Sequence, residues 1–149
     1  MLRNLAVMAL ALSFVAFSQN VKVPKDVTNA FAKLYPKATS VKWDKEGESE
    51  FEASFKENGK NVTVTFEANG KVKETESSIT EKELPKGVKT YITKHYSGYK
   101  VTEAAMITDA KGTVTYEAEI TKAKSKHDLM FDKSGNFLKM KDKEKEAKG

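Results

Sequence analysis

Residues 125–137 read SKHDLMFDKSGNF, which sets His127 beside Asp128 and just upstream of Asp132. An imidazole with neighbouring carboxylates can ligate a metal or exchange protons near neutral pH. His95 is the other histidine of the chain. A metal or small-ligand site built on His95 and His127 would still need a third ligand, and no ligand-spacing motif supplies one. A calcium loop opening at Asp132 would need a glutamate at its twelfth position, where this chain has Lys143. The absence of cysteine excludes thiol nucleophiles and thiolate metal sites. Two carboxylate pairs remain, Glu50 with Glu52 and Glu117 with Glu119. Such pairs do acid–base work only where burial or close like charge shifts a pKa. Each alternates with apolar residues, so the pattern places them on a solvated strand face. No nucleophile-elbow motif is present, and the sequence implies neither an enzyme nor a cofactor.

The elements that carry these residues come in two copies. Val23-Pro24-Lys25-Asp26-Val27 recurs 61 positions later as Leu84-Pro85-Lys86-Gly87-Val88. Each opens an amphipathic stretch with apolar residues three and four apart, which predicts a helix with one buried face. Proline suits the first turn of a helix, where its missing N–H costs nothing. Beyond the helices the copies align at an offset of 65, so that Phe51 lies over Tyr116. Phe51, Ala53, Phe55, Val64, Phe66 and Val72 alternate with polar residues, the period of strands with one buried face. Strands are predicted near 39–46, 49–57, 61–67 and 71–76, then 100–109, 113–122, 126–132 and 136–141. Asp132-Lys133-Ser134-Gly135-Asn136 is predicted to close a hairpin through a three-residue loop, with glycine in the left-handed region. The fold class expected is α+β: two tandem helix-plus-four-stranded antiparallel meander units, with helices packed on one face of the sheet.

The repeat also reassigns the histidines. His127 stands at the place of Val62 and His95 at that of Leu34, both expected to face the core. Each is therefore read first as a core-edge substitution and only second as a ligand. Trp43 shares strand parity with Val41 and is expected in the core.

The ends of the chain carry their own signals. Arg3, the apolar run LAVMALALSFVAF and Ala16-Phe17-Ser18 have the layout of a secretory signal peptide over 1–18. The run is too short to favour a permanent membrane span. Without it the chain keeps 25 lysines against 21 acids and no arginine. Nucleic-acid readers lean on arginine for bidentate contacts, so no nucleic-acid partner is expected. Residues 19–79 and 80–141 form the two repeats, and 142–149, rich in lysine and glutamate, read as a disordered tail. A periplasmic or secreted location follows.

One difference between the copies suggests a contact surface. Met130, Leu138 and Met140 replace Thr65, Lys73 and Thr75. On the simplest hairpin register Met130 faces Leu138 on the side away from the helix, with Met140 on the same parity. An apolar cluster on an otherwise polar face suits an exported protein or peptide partner, with methionine packing adaptably.

The proline-led helices with Tyr-Pro or Tyr-Ser-Gly exits, the strand YEAEI and the hairpin FDKSGNFLKM resemble the PepSY-like group of exported bacterial proteins, also described as β-lactamase-inhibitor-like. The resemblance covers about residues 23–141. It implies helices on one face of an antiparallel sheet, and inhibition or modulation of another protein, or ligand binding, in preference to catalysis. It carries no inhibitory residue over to this chain.

Overall fold

The structure is a computed structural model and describes residues 21–141. The expected signal peptide at 1–18 and the expected tail at 142–149 lie outside the described residues. In chain order come α1 (Lys25–Leu34), β1 (Thr39–Glu46), β2 (Glu50–Glu57), β3 (Lys60–Glu67), β4 (Val72–Ser78), a 3-10 turn at Glu81–Glu83, α2 (Lys86–His95), β5 (Lys100–Asp109), β6 (Val114–Lys122), β7 (Ser125–Asp132) and β8 (Phe137–Lys141).

The helices form for the reasons the spacing gives. Pro24 and Pro85 stand immediately before them, and Tyr35 and Tyr96 close them by donating N–H to the Phe31 and Ile92 carbonyls, each at 2.8 Å. Val27 and Phe31 pack over Phe51, Ala53 and Phe55 of β2 and Val62, Val64 and Phe66 of β3. Phe31 meets Phe55 and Trp43 edge-on, at 5.0 and 5.2 Å between ring centres. Val88 and Ile92 pack likewise over Ala118 and Ile120 of β6 and Leu129 and Phe131 of β7. Burial of these apolar faces is the main favourable term, at about 25 cal/mol per Å² removed from water.

The arrangement into two four-stranded meander units is corrected by the structure. All eight strands form one antiparallel sheet in the order β1 to β8. β4 pairs with β5, Glu74 opposite Asp109 and Ser78 opposite Ala105, and Ile79 extends the ladder by donating to the Ala104 carbonyl at 2.9 Å. The reason is backbone hydrogen bonding. Two separate meanders would leave a row of unpaired N–H and C=O groups on β4 and another on β5, and joining them satisfies both.

Helix and sheet meet at a repeated detail. The β3–β4 and β7–β8 hairpins each close as three-residue loops: Glu67 N–H donates to the Lys71 carbonyl and Asp132 N–H to the Asn136 carbonyl, both at 2.9 Å. Gly70 and Gly135 sit in these loops at φ +83° and +85°. Each loop abuts the first turn of the helix of its own half. A Cβ at Gly70 would lie 2.6 Å from the Asp26 carbonyl oxygen, and one at Gly135 would lie 2.9 Å from Gly87 Cα and Val88 N.

The β5–β6 loop has the same hydrogen bonds, and its Gly112, at φ +79°, has open space around it. Gly112→Ala should therefore cost only the left-handed backbone penalty, about 1–2 kcal/mol. Gly135→Ala adds a backbone clash and should cost measurably more. Urea midpoints of the two variants, compared with wild type at equal slope, check the order.

Candidate functional site

Alternation dictates the second face of the sheet. With Phe51, Phe55, Val64, Phe66, Ala118, Ile120, Leu129 and Phe131 turned to the helices, the residues between them turn away. Strand register assembles these into rows. Glu52, Thr65, Glu74 and Asp109 form one. Ser54, Thr63, Glu76, Ile107 and Thr115 form the next. Ser78, Ala105, Glu117, Met130 and Lys139 follow, then Glu103, Glu119, Asp128 and Lys141.

Four acids of this face are buried, contrary to the reading from alternation, while Glu103 is exposed. Glu52, Glu117, Glu119 and Asp128 expose only 5, 5, 4 and 2% of their surface. A side chain on a central strand has neighbours on both flanks, and here the neighbours are long and charged. Lys141 Nζ reaches Glu117 Oε2 at 2.5 Å, Lys126 pairs with Glu119, and Lys73 holds both oxygens of Glu50 at 2.6 and 2.7 Å. Thr102 donates to Glu119 Oε1 at 2.8 Å from a bulge that interrupts the β5–β6 register between Val101 and Glu103.

Burial shifts the titration of this cluster. The Glu76 carboxyl is pushed up to about 8, first by loss of water and then by the Glu117 charge. Glu52 rises to about 7 through desolvation, then through Glu46 and Asp44. Glu74 and Glu117 are raised by burial too, with Lys141 opposing the rise in both. Between the acids lies a cavity of about 270 Å³ with Thr63, Glu76, Ser78, Ala105, Glu117 and Glu119 among its lining residues. The small side chains of Ser78 and Ala105, adjacent across the β4–β5 pairing, leave it open.

The expected contact residues are dispersed. Met130 lies on the uncovered face but is buried, packed on Ile107. It opposes Lys139, because a bulge between the Met130 and Phe131 pairings takes up Leu138 as an extra, exposed residue. Met140 opposes Leu129 and so lies on the helix side, with its sulfur 4.0 Å from the Tyr96 hydroxyl. The structure thus does not bring Met130, Leu138 and Met140 together.

The histidines also occupy different contacts. His95 is exposed at the end of α2 and stacks on Tyr91 at 4.4 Å, and Leu34, at the corresponding place on α1, is exposed as well. The helix ends there, so neither position faces the core as expected. His127 is half-buried, its Nε2 3.1 Å from Ser125 Oγ and 3.4 Å from the Tyr99 hydroxyl. Among the described residues no group of three or more His, Asp or Glu is placed to hold a metal.

The acid beside the glycine is turn chemistry. Asp132 Oδ1 accepts N–H bonds from Ser134 and Asn136 at 2.8 and 2.9 Å, and its side-chain bond from Asn136 heads the interactions that hold its carboxyl below the usual range.

Sequence reasoning missed Glu74 and Glu76. Their signal was the alternation KETES, which becomes informative only once β4 is known to be a central strand.

A carboxyl whose pKa is higher folded than unfolded binds more protons in the folded state, so stability falls as pH rises from the unfolded to the folded value. For Glu76 that window runs from the ordinary 4.5 to about 8. The wild-type melting temperature should fall across it, Glu76→Gln should flatten the slope, and the variant should be the more stable above the window. Calorimetry of the two proteins in matched buffers checks the sign.

Comparisons with known proteins agree with this fold. A family model described as "Putative beta-lactamase-inhibitor-like, PepSY-like" matches residues 16–72 and 49–139. A DUF2874 family protein from Bacteroides uniformis superposes with a TM-score of 0.71 at 26% identity, over 79% of this chain and 88% of that one. A BLIP-like protein from Bacteroides fragilis gives 0.66 at 26% identity, over 79% and 85%. A structure from Bacteroides eggerthii described as "putative periplasmic proteins" gives 0.73 at 20% identity, over 80% and 88%, a likeness of fold. No protein with a curated description matches. No helix among the described residues is long and apolar enough to cross a membrane. With two family matches that together run from residue 16 to residue 139, the chain belongs to the PepSY-like, β-lactamase-inhibitor-like family.

Proposed function

We propose that this protein is an exported, non-enzymatic binding module that inhibits or modulates another exported protein or peptide by holding it on the uncovered sheet face. The observation that carries the reading is the cavity on that face, lined by β3 to β6 toward the Ser78 end of β4. Neither helix packs over it, its charged lining is wholly acidic, and Ile79, Ala104 and Ala105 add apolar atoms to the lining. A partner segment with lysine or arginine side chains and apolar residues between them complements such a surface. Membership of a family with BLIP-like relatives supports the same reading.

The acids do not argue for catalysis. Glu117 and Glu119 are engaged by Lys141 and Lys126. A general acid or base needs a reacting group within hydrogen-bond reach and a nucleophile or electrophile to serve. The Ser125–His127 contact lies apart from the cavity lining.

The test is capture from a fraction of exported proteins, followed by titration of the purified partner. Thr63→Arg places bulk and positive charge in the cavity and should weaken binding by at least about tenfold, which is about 1.4 kcal/mol. Leu34→Lys alters an exposed residue of α1 and should leave affinity unchanged. Affinity that survives Thr63→Arg but falls with Leu34→Lys would move the binding surface to the helix side.

A further inference from the structure

The two halves of the sheet are joined at a place with little apolar support. One core lies under α1 and the other under α2; neither takes a fully buried residue from β4 or β5, and the buried Ala105 and Ile107 of β5 face the uncovered side. On the helix side of the β4–β5 ladder the pairs are Thr75 with Thr108 and Ser77 with Met106, all half-buried. On the uncovered side Glu74 stands opposite Asp109, Glu76 opposite Ile107 and Ser78 opposite Ala105. The ladder therefore depends on backbone hydrogen bonds at the point where carboxylates gather.

We propose that this seam is a pH-sensitive hinge: ionisation of Glu76 and Glu74 loosens the β4–β5 ladder and with it the cavity that the ladder floors. The charged groups around Glu76 come from each neighbouring element. β2 contributes Glu52, β4 its own Glu74, β6 Glu117, and β8 Lys141. Glu103 of β5 and Glu119 of β6 share the cavity lining, with Lys126 and Asp128 of β7 beside them. The facing residues of β3, Thr63 and Thr65, carry no charge. Glu74 meets Asp109 directly and has Lys73 and Lys141 nearby.

The sequence of ionisation follows from these neighbours. Asp109 accepts N–H bonds from Lys111 and Thr113, both at 2.8 Å, which holds its carboxyl below the usual range. It is thus charged before Glu74 loses its proton, and like charges directly opposite each other across strands are destabilising. Glu76 loses its proton against Glu117 and Glu74, with Lys141, already paired with Glu117, as the main counter-charge. As pH rises, repulsion accumulates outside both helix-packed cores, with Ile107 and Ala105 as the buried apolar residues beside it.

Amide hydrogen exchange on the full chain tests the hinge, with rates corrected for base catalysis. Between about pH 6 and pH 9, protection in Glu74–Ser78 and Ala105–Asp109 should fall by about tenfold or more relative to α1, since each pKa unit of linkage is tenfold in the opening equilibrium. Glu76→Gln keeps the shape without the charge and should abolish that relative loss. Glu74→Gln, removing the charge opposite Asp109, should reduce it and serves if Glu76→Gln does not fold. The hinge is overturned if seam and α1 keep the same relative protection at both pH values. It is overturned equally if either variant loses seam protection as wild type does. Neither result depends on a partner, so partner capture can fail while the hinge stands, and the reverse.

Discussion

Strand side chains alternate, and α1 and α2 lie on the same side of the sheet. That constraint governs the rest. One face receives every large apolar residue that α1 and α2 can cover, and the polar residues have only the other face to occupy. In the middle of eight strands that face is no longer a solvent face. Each carboxylate on β4 or β6 is walled in by the strands beside it, and long lysines from β4, β7 and β8 fold over the acids. A soluble exterior and a buried acidic cluster thus arise from one pattern, read at the edge of the sheet or at its centre.

The parts legible in the sequence are those fixed by local chemistry. The proline-led helix starts, the strand spans and the DKSGN hairpin with its left-handed glycine all depend on residues close in the chain. The family resemblance rested on the same local signals. What the sequence withheld is non-local. Period-two alternation says that β4 and β5 are strands and nothing about whether they pair. The burial of Glu52, Glu117 and Glu119 comes from the strands on both flanks and, for the two β6 acids, from Lys126 and Lys141, none of which alternation reveals. Bulges were equally invisible. The extra residue at Leu138 shifts the register of β8, so Met140 lands opposite Leu129 and leaves the face that simple counting gave it.

The two halves show how a repeated unit can diverge while its frame persists. Val62 and His127 occupy matching places, yet the first is buried in an aliphatic core and the second is held by Ser125 and Tyr99. Thr65 and Met130 match as well, and the change supplies the apolar pair with Ile107. The helix-packed face stays largely apolar, with Phe55 and Val64 answered by Ile120 and Leu129, because its volume is constrained from both sides. The uncovered face, bounded on one side only, accommodates acids, lysines and methionine alike.

The contact between each hairpin glycine and the start of its helix bears on the order of assembly. Gly70 rests on Asp26 and Gly135 on Gly87, so the first turn of each helix is completed by the loop that ends its own half. Helix and loop are separated in sequence by three intervening strands. Such long-range closure adds loop entropy before it returns contacts and slows folding relative to local structure. Each helix can form early, but it docks in its final position only when the fourth strand of its half turns back. The glycines act as latches, set last, and a chain interrupted before either one would keep the strands its helix packs on but lack the loop that its first turn abuts.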